Sequence, residues 1–170
     1  MTIHDDNPFA EPPDQVRRFR GRIGGAVTLW TAGAGAERAG LTVSSLMVAN
    51  GDPAAVLALL DPDSDFRDRF EETGLAVVQL LRPEDVDLAE AFAGTAPAPG
   101  GPFRLGSWEQ ADHGPMLADR SHALVRLAAS QEVGWSLLVT ATIEEISVID
   151  VPDGLEHRRG RYRRSVDPDR

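Results

Sequence analysis

GLTVSSLMVANGDPAAVLALLDPDSDFRDRF, residues 40–70, is the stretch on which the fold turns. It opens with a hydroxyl cluster, Thr42, Ser44 and Ser45, in a segment whose β-branched and apolar residues suit a strand over residues 41–48. Asn50-Gly51-Asp52-Pro53 then turns the chain. Residues 54–60 are apolar without alternation, which predicts a strand buried on both faces. Asp63-Ser64-Asp65 supplies a helix N-cap and first-turn acids, and Gly74 closes that helix. Phe66 and Phe70, four apart, share its inner face. A hydroxyl cluster beside a buried strand, with a helix start just beyond, suits an anionic, phosphorylated cofactor.

On the N-terminal side, residues 25–32 read as a strand, and residues 33–40 as a Gly- and Ala-rich hairpin turn. Residues 15–22 form a helical turn whose arginines, Arg17, Arg18, Arg20 and Arg22, read as a solvated lead-in. Residues 1–15, with three prolines among acids, read as a flexible arm. On the C-terminal side, residues 75–81 are a second buried strand. Pro83-Glu84-Asp85 starts a second helix with Val86, Ala89, Phe92 and Ala93 as its apolar stripe. Residues 102–116 look irregular. Strands are expected over residues 121–129 and 135–149, with Glu144 and Glu145 at a solvated exit. The barrel domain should span residues 16–164, followed by a tail over 165–170. Six or seven strands with two inserted helices make the chain mainly β and favour a closed or nearly closed barrel.

With 170 residues and 42% apolar content the chain suits one domain with a real core. Its formal charge of -10 argues against nucleic-acid binding. There is no cysteine, so disulfides and thiolate chemistry are excluded. All 17 basic side chains are arginine, which excludes a lysine Schiff base or a P-loop lysine. No apolar run approaches the roughly 20 residues that span a bilayer, and residues 1–19 lack the apolar core of a signal peptide. The expected location is the cytoplasm. The four histidines show no metal spacing, and no nucleophile–base motif stands out.

Gly40-Leu41-Thr42-Val43-Ser44-Ser45, then Asp52-Pro53, the apolar strand and the Ser64 turn, resemble the flavin reductase-like family of FMN-binding split barrels. The likeness returns at Leu155-Glu156-His157-Arg158-Arg159-Gly160-Arg161-Tyr162, which is similar to the family's closing H-x-x-G-x-Y. It covers residues 20–164. The resemblance implies a split β-barrel with two or three short helices, paired as a homodimer. It implies FMN as cofactor, with FAD or another flavin (a deazaflavin included) left open, and NAD(P)H as co-substrate. It also implies service as the reductase component of a two-component monooxygenase.

Read alone, Thr42, Ser44 and Ser45 are strand residues at a polar end. The resemblance makes Thr42, Val43, Ser44, Ser45 and Leu46 the residues against the flavin. It places the flavin phosphate at the turn of Asp61 and Ser64, where aspartates stand in for the family's hydroxyls. Arg67 or Arg82 would have to neutralise them. His157 would lie near the flavin's open face. Gly134-Trp135-Ser136 stands where many relatives carry Gly-Asp-His, so Trp135 and Ser136 take the nicotinamide position. Catalysis needs no acid–base residue, because hydride transfer belongs to the cofactor. Two alternatives stay open: a flavin-binding split barrel with little or no reductase activity, and a cofactor-free dimeric interaction module.

Overall fold

The structure, a computed structural model, describes residues 14–151 and 153–166. Most of the expected N-terminal arm and of the C-terminal tail therefore lies outside the described residues. The elements follow as α1 (Gln15–Ile23), β1 (Gly25–Ala26), β2 (Thr28–Ala32), β3 (Ala39–Val43), β4 (Leu46–Ala49), β5 (Ala55–Leu60) and α2 (Asp65–Thr73). Then come β6 (Leu75–Leu80), α3 (Val86–Phe92), β7 (Trp108–Ala111), β8 (Gly114–Leu117), β9 (His122–Val133), β10 (Ser136–Ser147), β11 (Asp153–Arg158) and β12 (Arg161–Val166).

Seven strands form one antiparallel sheet in the order β3-β2-β6-β9-β10-β5-β4. Its two edges, β3 and β4, are consecutive in the chain and separated only by Ser44 and Ser45. Laid flat, such edges would stand about 29 Å apart, at about 4.8 Å per strand. Three Cα steps span at most about 11 Å. The sheet must therefore curl until its edges nearly meet, which is a split barrel with its seam at the two serines. The strand expected over residues 41–48 is thus two strands. The chain crosses from one edge to the other at Ser44 and Ser45, and the ladder stops there.

The barrel is filled by Trp30, whose ring lies edge-on to Phe66 and Phe70 at 6.2 and 6.1 Å. Val43, Val56, Ala58, Leu60, Val125 and Val139 close around them. Ser64 caps α2 by accepting the Arg67 N–H, and Gly74, in the left-handed region, ends it. A second cluster, with Val27, Leu29, Leu81, Leu88, Phe92 and Leu155, lies beneath a small sheet of β1, β11 and β12. Strand β2 is buried on both faces and serves both clusters. Its two threonines are satisfied: Thr28 donates to the Val43 carbonyl, and Thr31 to that of Pro115.

Several expectations need correction. The strand over residues 25–32 breaks at Val27, because β1 joins the small sheet and β2 the large one. β5 is buried on one face only: Val56, Ala58 and Leu60 point inward while Leu59 is 39% exposed. Helix α3 begins after a short 3-10 turn at Pro83–Asp85. It buries Leu88, Ala89, Ala91 and Phe92, whereas Ala93 is exposed. Residues 102–116 hold most of the β7–β8 hairpin, whose four-residue strands are too short to carry a periodic signal. The arginine-dense C-terminus forms β11 and β12.

Glu144 does not stand alone in solvent. It accepts from Arg126 and pairs with His113 Nε2 at 2.6 Å, pinning the β7–β8 hairpin to β10. The Arg126 hydrogen bond, then that of His113, holds its carboxyl below the ordinary value of 4.5. A carboxyl with a depressed native pKa contributes stability above its unfolded value, and loses it as pH falls through the native one. Glu144→Gln should therefore lower the urea midpoint at about pH 7, and the difference from the parent should shrink as pH falls through the depressed native value. A difference unchanged across that range would refute this account.

Candidate functional site

At the seam the chain passes from one edge of the curled sheet to the other and the backbone ladder stops. Leu59 donates its N–H to the Ser45 carbonyl, which ties the seam to β5 at 3.0 Å. Among the described residues, neither Ser44 nor Ser45 donates its backbone N–H to a protein acceptor, and neither hydroxyl has a partner. The Ser44 carbonyl lies so close to Gly25 that a Cβ there would stand 2.6 Å from it. A glycine is needed at that crossing.

A cavity of about 750 Å³ opens on the seam. Leu41, Thr42, Val43, Ser44 and Ser45 form one wall, Leu59 and Asp61 the next, and His157 with Arg159 and Gly160 a third. Helix α1 closes the fourth side with Arg17, Arg18, Arg20, Gly21 and Arg22. The volume falls in the ordinary range for a cofactor pocket. Thr42 donates its hydroxyl to the Ala89 carbonyl at 2.7 Å, fixing β3 against α3. Asp61 accepts the Asp63 N–H at 2.9 Å and so folds its own turn. His157 faces Gly25 across the β1–β11 ladder and packs edge-on against Tyr162 at 5.3 Å. Burial, and then the charge of Glu90, pushes the Tyr162 phenol above its usual range.

Thr42, Val43, Ser44, Ser45, Asp61 and His157 thus meet at one cavity. The remaining sequence candidates lie off its wall. Leu46 packs against the barrel core. Ser64 spends its hydroxyl on the Asp61 carbonyl and on capping α2. Arg67 is bound to the Pro62 carbonyl and to Glu71 at 2.9 Å. Arg82 donates to the Asp119 carbonyl, and its own N–H goes to Asp85 at 2.8 Å. Trp135, at the tip of the β9–β10 hairpin, is 96% exposed, and Ser136 starts β10 beside it.

The arginines of α1 are what the sequence reading passed over. A surface helix normally turns its apolar face to the core. Here Val16, Phe19 and Ile23 are 77%, 70% and 69% exposed, while the cationic face lines the cavity. The spacing of those three apolar residues, with arginines between them, was the available signal. It did not tell which face looks inward.

The chain matches the family model described as "Flavin reductase like domain" over residues 20–165. It is 27% identical to the 4-hydroxyphenylacetate 3-monooxygenase reductase component of Pseudomonas aeruginosa, covering 94% of this chain and 96% of that protein. It is also 27% identical to the NADH-dependent FMN reductase AsuE2 of Streptomyces nodosus subsp. asukaensis, covering 97% and 92%. Among solved structures it resembles the NADH:FAD oxidoreductase SgcE6 of Streptomyces globisporus C-1027, with a TM-score of 0.81, 24% identity, and coverage of 96% and 99%. With the curled sheet, its seam and the match across residues 20–165, the chain belongs to the flavin reductase-like family.

Proposed function

We propose that this protein is an NAD(P)H-dependent flavin reductase that holds FMN in the seam cavity and supplies reduced flavin to a monooxygenase component. The observation that carries this reading is the N–H groups and hydroxyls of Ser44 and Ser45, which have no partner among the described residues and border a cavity of cofactor size. Such groups suit the carbonyl and ring-nitrogen acceptors of an isoalloxazine. The relatives' names, a monooxygenase reductase component and an NADH-dependent FMN reductase, point the same way. FAD would find the same seam.

A flavin held there would supply the hydride and electron-transfer chemistry between nicotinamide and acceptor. The chain supplies orientation. Ser44 and Ser45 would donate to the flavin, Val43 would pack beside it, and His157 would help to order the nicotinamide. The exposed apolar side chains on the outer barrel face, Met47, Leu59 and Val133, with Trp135 at the hairpin tip, fit a homodimer seam beside the cavity. Trp135 and Ser136 would reach nicotinamide only across that seam. Among the described residues no helix is long and apolar enough to cross a membrane, and the reading places the protein in the cytoplasm.

Two measurements test the reading together: the visible spectrum after FMN loading and desalting, and NADH oxidation with FMN present. Retained or rapidly exchanging FMN with NADH turnover is the expected result. Bound flavin without turnover would favour a flavin carrier, which the off-wall position of Trp135 and Ser136 suits. No flavin binding at micromolar concentration would sink the proposal.

A further inference from the structure

Arg17, Arg18, Arg20, Arg22 and Arg159 line the seam cavity, and among the described lining residues Asp61 is the one acid. This is a local excess of four positive charges in a chain of formal charge -10. The six arginines that form ion pairs among the described residues, Arg67, Arg69, Arg82, Arg120, Arg126 and Arg164, all lie elsewhere. Among the described residues none of the five on the wall has a carboxylate partner within ion-pair distance. Converging like charges repel, so the arrangement is unfavourable until an anion enters.

Helix α1 is also held so that its exposed arginines border the cavity. The Arg159 N–H donates to the Gly21 carbonyl at 2.7 Å, and Gly21 sits at the middle of the cationic arc. Arg17 and Arg18, one turn before it, lie on that same face. Its three apolar side chains are turned out to solvent instead. Meanwhile the turn to which the resemblance assigns the phosphate is occupied. Ser64 and Arg67 are spent on α2, and Asp61 would repel a phosphate.

We propose that α1 and Arg159 form the phosphate-recognition element of this site, so that the protein selects phosphate-bearing flavins through the α1 wall and not through the turn of Asp61 and Ser64. The proposal rests on the flavin reading above. Arginine forks suit phosphate oxygens in paired hydrogen bonds, and arginine keeps its charge at every working pH.

The test compares FMN with riboflavin, which differ only in the phosphate, by fluorescence titration of the full chain. The parent should bind FMN at least about tenfold more tightly, the order expected for one charge-assisted contact. That preference should shrink between about 0.1 M and about 1 M salt, as the screening length falls from about 10 to about 3 Å. In R17Q/R18Q the preference should largely vanish while riboflavin affinity stays within about twofold, and R159Q, on a different element, should show the same pattern to a smaller degree. Helix α1 has no buried residue, so the double variant is expected to fold, and a matching thermal midpoint checks this. Equal binding of FMN and riboflavin by the parent overturns the proposal and leaves the flavin reading standing. So does an R17Q/R18Q variant that keeps its preference, or one that loses both flavins alike. A parent that binds neither flavin removes the flavin reading and the proposal with it.

Discussion

Trp30→Ala should lower the unfolding free energy by about 3–5 kcal/mol, the usual cost of emptying a large aromatic site in a core. Trp30 is fully buried, lies edge-on to both Phe66 and Phe70, and donates its indole N–H to the Thr28 hydroxyl at 3.1 Å. Its loss leaves a cavity at the centre of the barrel, and a ring pair, Phe66 and Phe70, whose contact face is gone. The site cannot collapse easily, because β2 is hydrogen-bonded on both sides, to β3 and to β6. Native domains hold about 5–15 kcal/mol in all, so this single change would consume a large part of it. At about 2–4 °C per kcal/mol for a chain of this size, the melting midpoint should drop by roughly 6–20 °C. Trp30→Phe keeps a ring against the two phenylalanines and should cost less. A urea titration showing less than about 1 kcal/mol for Trp30→Ala would mean that the barrel is not organised around this side chain.

Gly25→Ala should damage the site and the fold at once. The added Cβ would stand 2.6 Å from the Ser44 carbonyl oxygen, a distance that real contacts do not allow. One of two backbone segments must move. One carries the seam serines. The other pairs with His157 through the β1–β11 ladder. Overpacking of this kind typically costs about 1–3 kcal/mol. Because Ser44 on one side of this contact, and Gly24 and His157 beside Gly25 on the other, line the cavity, we expect FMN affinity to fall by about tenfold or more, since misplacement of about 1 Å in a positioned site has effects of that order. The two readouts are separable: the urea midpoint reports the packing cost, and flavin titration of the still-folded variant reports the displacement. Unchanged flavin affinity with lowered stability would show that β1 alone yields and that the seam is not positioned by this contact.

How much of this was legible beforehand depends on whether the physics is local. The helix over Asp65–Thr73 was, because Ser64, the first-turn acids, the Phe66–Phe70 spacing and Gly74 act within one helix. The turn after Ala49 and the strands β5 and β6 were legible for the same reason: apolar runs bounded by turn residues. The break at Ser44 and Ser45 was not. It has no local cause, since Thr42 to Val48 would serve equally well as one continuous strand. It exists because the sheet closes on itself there. The β7–β8 hairpin and β11–β12 were likewise hidden. The β7 and β8 strands are only four residues long and β11 and β12 are rich in charge, and β8 is held by a partner distant in the chain, as when Gln79 accepts the Leu117 N–H.

The site divides in the same way. Residue types and order in the sequence were enough to bring forward the hydroxyl segment Thr42–Ser45 and His157, through the likeness of two motifs more than a hundred residues apart. Only the tertiary structure decided that these two segments line one cavity, that Ser64, Arg67 and Arg82 are committed to other contacts, and that the arginines of α1 border the cavity. The sequence by itself determined the mainly β composition of the chain, the α2 helix and the hydroxyl strand, because each follows from side-chain chemistry within a few residues. Tertiary structure decided the seam, the cavity and the charge within it, because sheet closure brings together groups whose attraction and repulsion do not depend on their separation along the chain.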